Sequence, residues 1–140
     1  AYQGLSDEVK ARIDGRTATH DLLFDFGDRI APDRRAAMAV EYPPQHHPVV
    51  RTHPETGDRV LFVNASFTSR IDGLDDSEGA ALLGHLFDQF KVPEYQLRFR
   101  WTPNAVAIWD NRCTQHYPVA DYWPARRRME RVTIAGDVPF

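Results

Sequence analysis

From Tyr95 to Trp101 apolar and polar residues alternate without a break. Tyr95, Leu97, Phe99 and Trp101 fall on one parity, and Gln96, Arg98 and Arg100 on the other. A period of two predicts a half-buried strand. The preceding segment has a different period. Leu82, Leu83, Leu86, Phe87 and Phe90 fall on one stripe of a helix that Asp76 or Ser77 would cap and that must stop before Pro93. Two further helices are expected. Leu5 to Gly15 has a Ser for its cap, acids in its first turn and a Gly stop. Pro32 to Val40 opens on a proline and cannot run past Pro43-Pro44.

Between these helices His20 to Ile30 reads as a strand or an irregular apolar loop. Val49 to Thr52 and Arg59 to Val63 are β-branched or aromatic runs on either side of Pro54-Glu55-Thr56-Gly57, so a hairpin is expected there. After the alternating run comes a turn at Thr102-Pro103-Asn104, then strands at 105–109 and 129–135 joined by a long polar and aromatic connection over 111–125. The expectation is a mainly β, mostly antiparallel domain with peripheral α-helices, and residues 1–140 form one unit without internal repeats.

Composition narrows the function. Seventeen basic against 20 acidic residues give a formal net charge of -3, which speaks against nucleic-acid binding. All the basic residues except Lys10 and Lys91 are Arg. That bias suits bidentate recognition of carboxylate, sulfonate or phosphate, although genome base composition produces it too. The single Cys113 has no internal disulfide partner, and there is no zinc-finger spacing. No apolar run approaches bilayer length and the first ten residues lack a signal-peptide core. A soluble cytoplasmic protein without a membrane partner is therefore expected.

Reactive groups are densest in Trp109-Asp110-Asn111-Arg112-Cys113-Thr114-Gln115-His116-Tyr117, followed by Ala120-Asp121-Tyr122 and the arginines 126, 127, 128 and 131. Upstream stand His47-Pro48-Val49-Val50-Arg51-Thr52-His53-Pro54, Leu61-Phe62-Val63-Asn64 and Phe67-Thr68. Together these runs resemble, in order and spacing, the carboxy-terminal part of the taurine dioxygenase family. That family comprises iron(II)- and 2-oxoglutarate-dependent dioxygenases, among them alkylsulfatases and aryloxyalkanoate dioxygenases. The resemblance spans essentially the whole chain and implies part of a double-stranded β-helix, or jelly roll.

It also implies roles. His116 matches the distal histidine of an iron site made by two His and one carboxylate, which leaves positions for co-substrate and oxygen. Arg127 matches the arginine that forks onto the distal carboxylate of 2-oxoglutarate, and Arg131, four residues on and on the same side of a strand, the arginine that holds the substrate anion. Phe67 and Phe26 fall where the family places aromatics near substrate, and Trp109 beneath the iron. Outside the motif, His116 reads as a surface or packed histidine, the arginines as a solvated basic patch, and Phe26 as core.

The implied reaction hydroxylates a small anionic substrate, a taurine-like sulfonate or an alkyl sulfate. It consumes O2 and 2-oxoglutarate and releases sulfite or sulfate with succinate and CO2, as sulfur or taurine catabolism would require. A homo-oligomer is the expected assembly. The family's other two iron ligands form a His-x-Asp or His-x-Glu motif upstream of the matched region. No His-x-Asp occurs here, and the one His-x-Glu is His53-Pro54-Glu55, inside the expected hairpin turn. The alternative is thus a truncated, catalytically inactive piece with a structural or interaction role, whose unpaired strand edges invite association.

Overall fold

Local capping decides where the first helix begins. In the computed structural model, which describes residues 1–140, the Ser6 hydroxyl accepts a hydrogen bond from the Val9 N–H and opens α1 (Asp7–Ile13). Gly15, at φ +68°, takes the left-handed turn that a side chain resists and sends the chain into β1 (Thr17–His20).

The apolar stretch that follows is helical. Leu22 to Arg29 winds into α2 (Leu23–Phe26) and a 3-10 turn at Gly27–Arg29, where the sequence suggested a strand or loop. Asp21 explains the difference, because its Oδ1 accepts from the Leu23 N–H and its carbonyl from the Phe24 N–H, which starts a helical turn. Helix α3 (Pro32–Glu41) begins on its proline as expected and has no buried residue.

The strands that form are short. β2 (Gln45–Pro48), β1 and β5 (Thr68–Ile71) make a three-stranded antiparallel sheet in the order β2-β1-β5, with Thr17 opposite Pro48 and Ala18 opposite Ile71. The expected hairpin is present as β3 (Val50–Thr52) and β4 (Arg59–Leu61), with Arg51 opposite Val60. Helix α4 (Asp76–Gln89) is capped one residue earlier than expected: Asp75 Oδ1 accepts from the N–H groups of Ser77 and Glu78.

One core unites these elements. Ile13, Ala18, Val49, Leu61, Val63 and Ile71 pack against Leu82, Leu83 and Leu86 of α4. Each fully buried aliphatic side chain contributes about 1.5–3 kcal/mol, before the entropy of ordering is set against it.

The last third of the chain departs from expectation. After a 3-10 turn at Pro93–Tyr95 there is no helix or strand, so the strands expected at 95–101, 105–109 and 129–135 do not form. The turn after Thr102 does, with Asn104 at φ +62°. A strand differs from a helix in that its hydrogen bonds go to another segment, and here none lies alongside. Ile108 and Val132 remain 93% and 92% exposed. The structure is therefore antiparallel sheet plus helix, with fewer strands than the sequence pattern called for. No helix is long and apolar enough to cross a membrane.

Candidate functional site

Two segments far apart in sequence meet at the turn of the β3–β4 hairpin. His53 is buried there. Its Nδ1 accepts from the N–H groups of Glu55 and Thr56, both at 3.3 Å, so the ring proton resides on Nε2 and is donated to Asp110 Oδ2 at 3.2 Å. The Asp110 carboxylate is also gripped side-on by Arg112, whose Nε lies 3.0 and 3.1 Å from the two oxygens and whose terminal nitrogen lies 2.8 Å from Oδ2. Arg112, by its side chain first and its backbone N–H second, holds the Asp110 carboxyl far below the usual carboxylate range, and His53 assists.

The same loop docks again five residues on. Gln115 donates through Nε2 to the Val63 carbonyl at 2.5 Å and accepts through Oε1 from Asn64 Nδ2 at 3.1 Å. His116 follows directly. Its exposed ring lies against Trp109, with centroids 5.0 Å apart, and Trp109 Nε1 donates to Asn111.

One group of donor atoms in this region has metal-like spacing: His53, Asp110 and Cys113 place a ligand atom each within 4.8 Å of one another. The chemistry argues against a cation there. Both Asp110 oxygens face a guanidinium, both nitrogens of His53 are committed to hydrogen bonds, and burial and the Asp110 charge push the Cys113 thiol up, away from thiolate. His53-Pro54-Glu55 is accordingly a turn element, with His53 serving Asp110 rather than a metal.

The substrate aromatics expected from sequence do meet. Phe26, at the end of α2, and Phe67, in the turn just before β5, have ring centroids 5.8 Å apart, and the Arg29 guanidinium lies 5.7 Å from the Phe26 ring. The arginines expected to bind anions make other contacts or none. Arg127 lies over Tyr122 at 5.7 Å, Arg131 is exposed, and neither makes a hydrogen bond or ion pair with the His116 loop. No hydrogen bond, ion pair or ring contact joins His116 to Arg127 or Arg131. Arg131 lies in the expected strand that does not form and Arg127 just before it, so no strand pairing aims either guanidinium. Two grooves, of about 550 Å3 between α2 and α3 and about 260 Å3 between α1 and α4, are lined by none of the five expected site residues.

A second polar centre lies on the three-stranded sheet. Burial tends to raise the Asp72 carboxyl, but hydrogen bonds from Thr19, His46 and Thr17 outweigh it and bring it down to about 2. On the sheet's other side His20 sits 5.1 Å from the His47 ring and 5.9 Å from Phe62. Burial first, and His47 second, lower the His20 pKa to about 4.

Sequence reasoning missed Asn64, Gln115 and the His53–Asp110 pair as site-building residues. The signal available was that each lies within or next to a quoted motif. What no spacing showed was that these motifs, more than 50 residues apart, would touch.

A family model described as taurine catabolism dioxygenase TauD, TfdA family matches residues 1–133. The alpha-ketoglutarate-dependent sulfate ester dioxygenase of Pseudomonas putida is 36% identical over 99% of this chain and 48% of its own length. The alpha-ketoglutarate-dependent 2,4-dichlorophenoxyacetate dioxygenase of Cupriavidus pinatubonensis is 34% identical over 98% of this chain and 47% of its own. Among solved structures, a taurine dioxygenase from Burkholderia xenovorans superposes with a TM-score of 0.56 at 35% identity, over 72% of this chain and 31% of that one. The chain spans about half the length of these curated relatives.

Proposed function

The chain belongs to the taurine catabolism dioxygenase TauD, TfdA family, and on that footing we propose that it is the carboxy-terminal part of an iron(II)- and 2-oxoglutarate-dependent dioxygenase acting on a small organic anion, a sulfonate or sulfate ester. The observation that carries the reading is the docked loop. Asp110 and Gln115 are each tied to the β3–β4 hairpin, and His116 follows the second tie with its ring against Trp109 and no hydrogen bond of its own to compete with a metal.

The donor set fits one corner of an iron site. An imidazole nitrogen suits iron(II), and His116 supplies one. The other two donors come, on this reading, from beyond these 140 residues, since His53 is committed to Asp110. When bound, iron with 2-oxoglutarate would supply a centre at which O2 is the oxidant, one oxygen atom going to succinate as CO2 leaves and the other to the hydroxylated substrate.

The chain's own residues bind and orient. Arg127 forks onto the distal carboxylate of 2-oxoglutarate, for which a planar guanidinium is better shaped than an ammonium. Arg131 neutralises the substrate anion, and in an extended strand it stands on the same side as Arg127, roughly 13 Å along. Phe67 and Phe26 give the organic part of the substrate a wall and keep water off it. For the two arginines to face one cavity, segments 95–101, 105–109 and 129–135 take their places as strands of a jelly roll completed by the rest of the protein. Sulfonate, sulfate ester and carboxylate are all acceptors a guanidinium can hold, and the two named relatives act on a sulfate ester and an aryloxyacetate.

The test separates the two arginines in the whole protein. Arg127→Ala weakens 2-oxoglutarate binding, and Arg131→Ala weakens the organic substrate, each roughly ten- to a hundredfold, as loss of a charged hydrogen-bonding pair implies. Small and equal effects of both changes on both affinities contradict the assignment. A second reading, that the 140 residues alone are a catalytically inactive piece, is favoured by the absence of any strand after Tyr95, which leaves Arg131 exposed; absence of metal binding by the isolated chain supports it.

A further inference from the structure

We propose that Asn64 is a positioning residue that ties the wall carrying Phe67 to the loop carrying His116. This rests on the reading above, in which His116 is a metal ligand and Phe67 a substrate contact.

Every polar group of Asn64 is used. Its backbone N–H donates to Thr68 Oγ1 at 2.8 Å, and its carbonyl accepts from the N–H groups of Phe67 at 3.2 Å and Thr68 at 2.8 Å. Its Oδ1 accepts from the Ser66 N–H at 2.8 Å. These four bonds wind residues 64–68 into a tight turn that sets Phe67 just before β5, facing Phe26. The fifth bond leaves the turn: Nδ2 donates to Gln115 Oε1 at 3.1 Å, across 51 residues of sequence.

Gln115 closes the clasp with its other amide atom, which donates to the carbonyl of Val63, the neighbour of Asn64. Two primary amides thus fix each other's orientation, since turning either one sets like atoms together. The loop start is held separately by His53 and Arg112 on Asp110. With both ends tied, the position of His116 follows from that of Gln115, and any shift of the 64–68 turn moves Phe67 and His116 together.

The turn by itself does not need an asparagine. An aspartate offers Ser66 the same acceptor, whereas only the amide can donate to Gln115. Asn64→Asp therefore keeps the turn and sets a carboxylate oxygen against Gln115 Oε1. If Gln115 flips to relieve this, it loses the Val63 carbonyl, so one clasp bond goes in either case.

The experiment compares wild type, Asn64→Asp, Gln115→Glu and His116→Ala in the whole protein. Iron(II) affinity is read anaerobically from the visible charge-transfer band with 2-oxoglutarate, KM and kcat for the anionic substrate at saturating iron, and backbone hydrogen exchange over residues 113–117 in the metal-free protein. Asn64→Asp is expected to weaken iron binding by about 10- to 100-fold, the range for partners that orient a ligand. It should also raise KM more than it lowers kcat and speed exchange in the loop. Gln115→Glu, which breaks the clasp from the other side by losing the donor to Val63, is expected to act in the same direction and serves if Asn64→Asp does not fold. Wild-type iron affinity and wild-type exchange in both clasp variants, with iron binding lost in His116→Ala, overturn the clasp and leave the ligand reading standing. Undiminished iron binding in His116→Ala overturns the ligand reading instead, and the exchange data then decide whether the two amides hold the loop.

Discussion

Residues 1–95 and residues 96–140 carry equally clear patterning, yet only the first set folds into packed elements. The eleven buried apolar residues of the core all precede Lys91, whereas Leu97, Ile108, Val132 and Ile134 stand in solvent. The difference lies in where each element finds its hydrogen bonds. Helix α4 satisfies its own backbone and needs only one apolar face covered, and the β3–β4 hairpin carries its partner a few residues away. The strand-patterned segments of the last third need a partner from a distant segment, and their backbone bonds are confined to turns and to the contact between the Thr52 N–H and the Phe140 carbonyl. Arg131 sits on one of those segments and Arg127 two residues before it. A segment can thus carry strand patterning and still lack the ladder that would aim its side chains.

The sharpest way to break this comparison is to remove volume on each side of it. Leu86→Ala, at a fully buried position, is expected to destabilise the chain by about 2–5 kcal/mol, read from the midpoint of urea unfolding. A loss below about 1 kcal/mol would mean that the first region is not a packed core.

Acid titration gives the next contrast. His20 titrates near 4 when folded, mainly through burial, against 6.5 for the ordinary group. Below pH 6.5 the unfolded chain gains a proton that the folded chain refuses, so this contribution to stability is complete above pH 6.5 and declines as pH falls towards 4. Asp72, lowered from 3.8 to about 2, adds a second decline between those values. His20→Asn should flatten the upper decline and leave the lower one; an unchanged profile rejects the buried-imidazole account.

Smaller effects follow at the surface. Asp75→Ala removes the two-bond cap of α4 and should cost about 1 kcal/mol, seen as a lowered unfolding midpoint. Ile134→Ser, at a position 89% exposed, should change stability by no more than about 0.5 kcal/mol in the 140-residue chain. The same change in the whole protein should cost several-fold more if strand pairing buries that residue there, and equal costs in both would argue against a completed jelly roll.

Legibility in the sequence followed the same division. Helices α1, α3 and α4 and the hairpin were readable because cap, period and turn chemistry are local, whereas α2 fell in a segment read as strand or loop; α4 missed only its cap, where Asp75, Asp76 and Ser77 are all competent. β1 and β2 were not, since Thr17-Ala18-Thr19-His20 and Gln45-His46-His47-Pro48 lack an apolar run. They are held instead by a carboxylate, Asp72, that gathers Thr17, Thr19 and His46. For the site, Phe26 and Phe67 were expected from family likeness to lie near substrate, and what the structure adds is that their rings touch each other. The clasp of Asn64 with Gln115 was not, because a hydrogen bond between two amides 51 residues apart leaves no periodic trace.

The most direct measurement is an anaerobic titration with iron(II) and 2-oxoglutarate, run in parallel on the 140-residue chain and on the whole protein. The account predicts a visible charge-transfer band in the whole protein, its loss in His116→Ala, and none in the isolated chain, to which the proposed site assigns one imidazole of the three ligands. A band of equal strength in the isolated chain, or its persistence without His116, would contradict it.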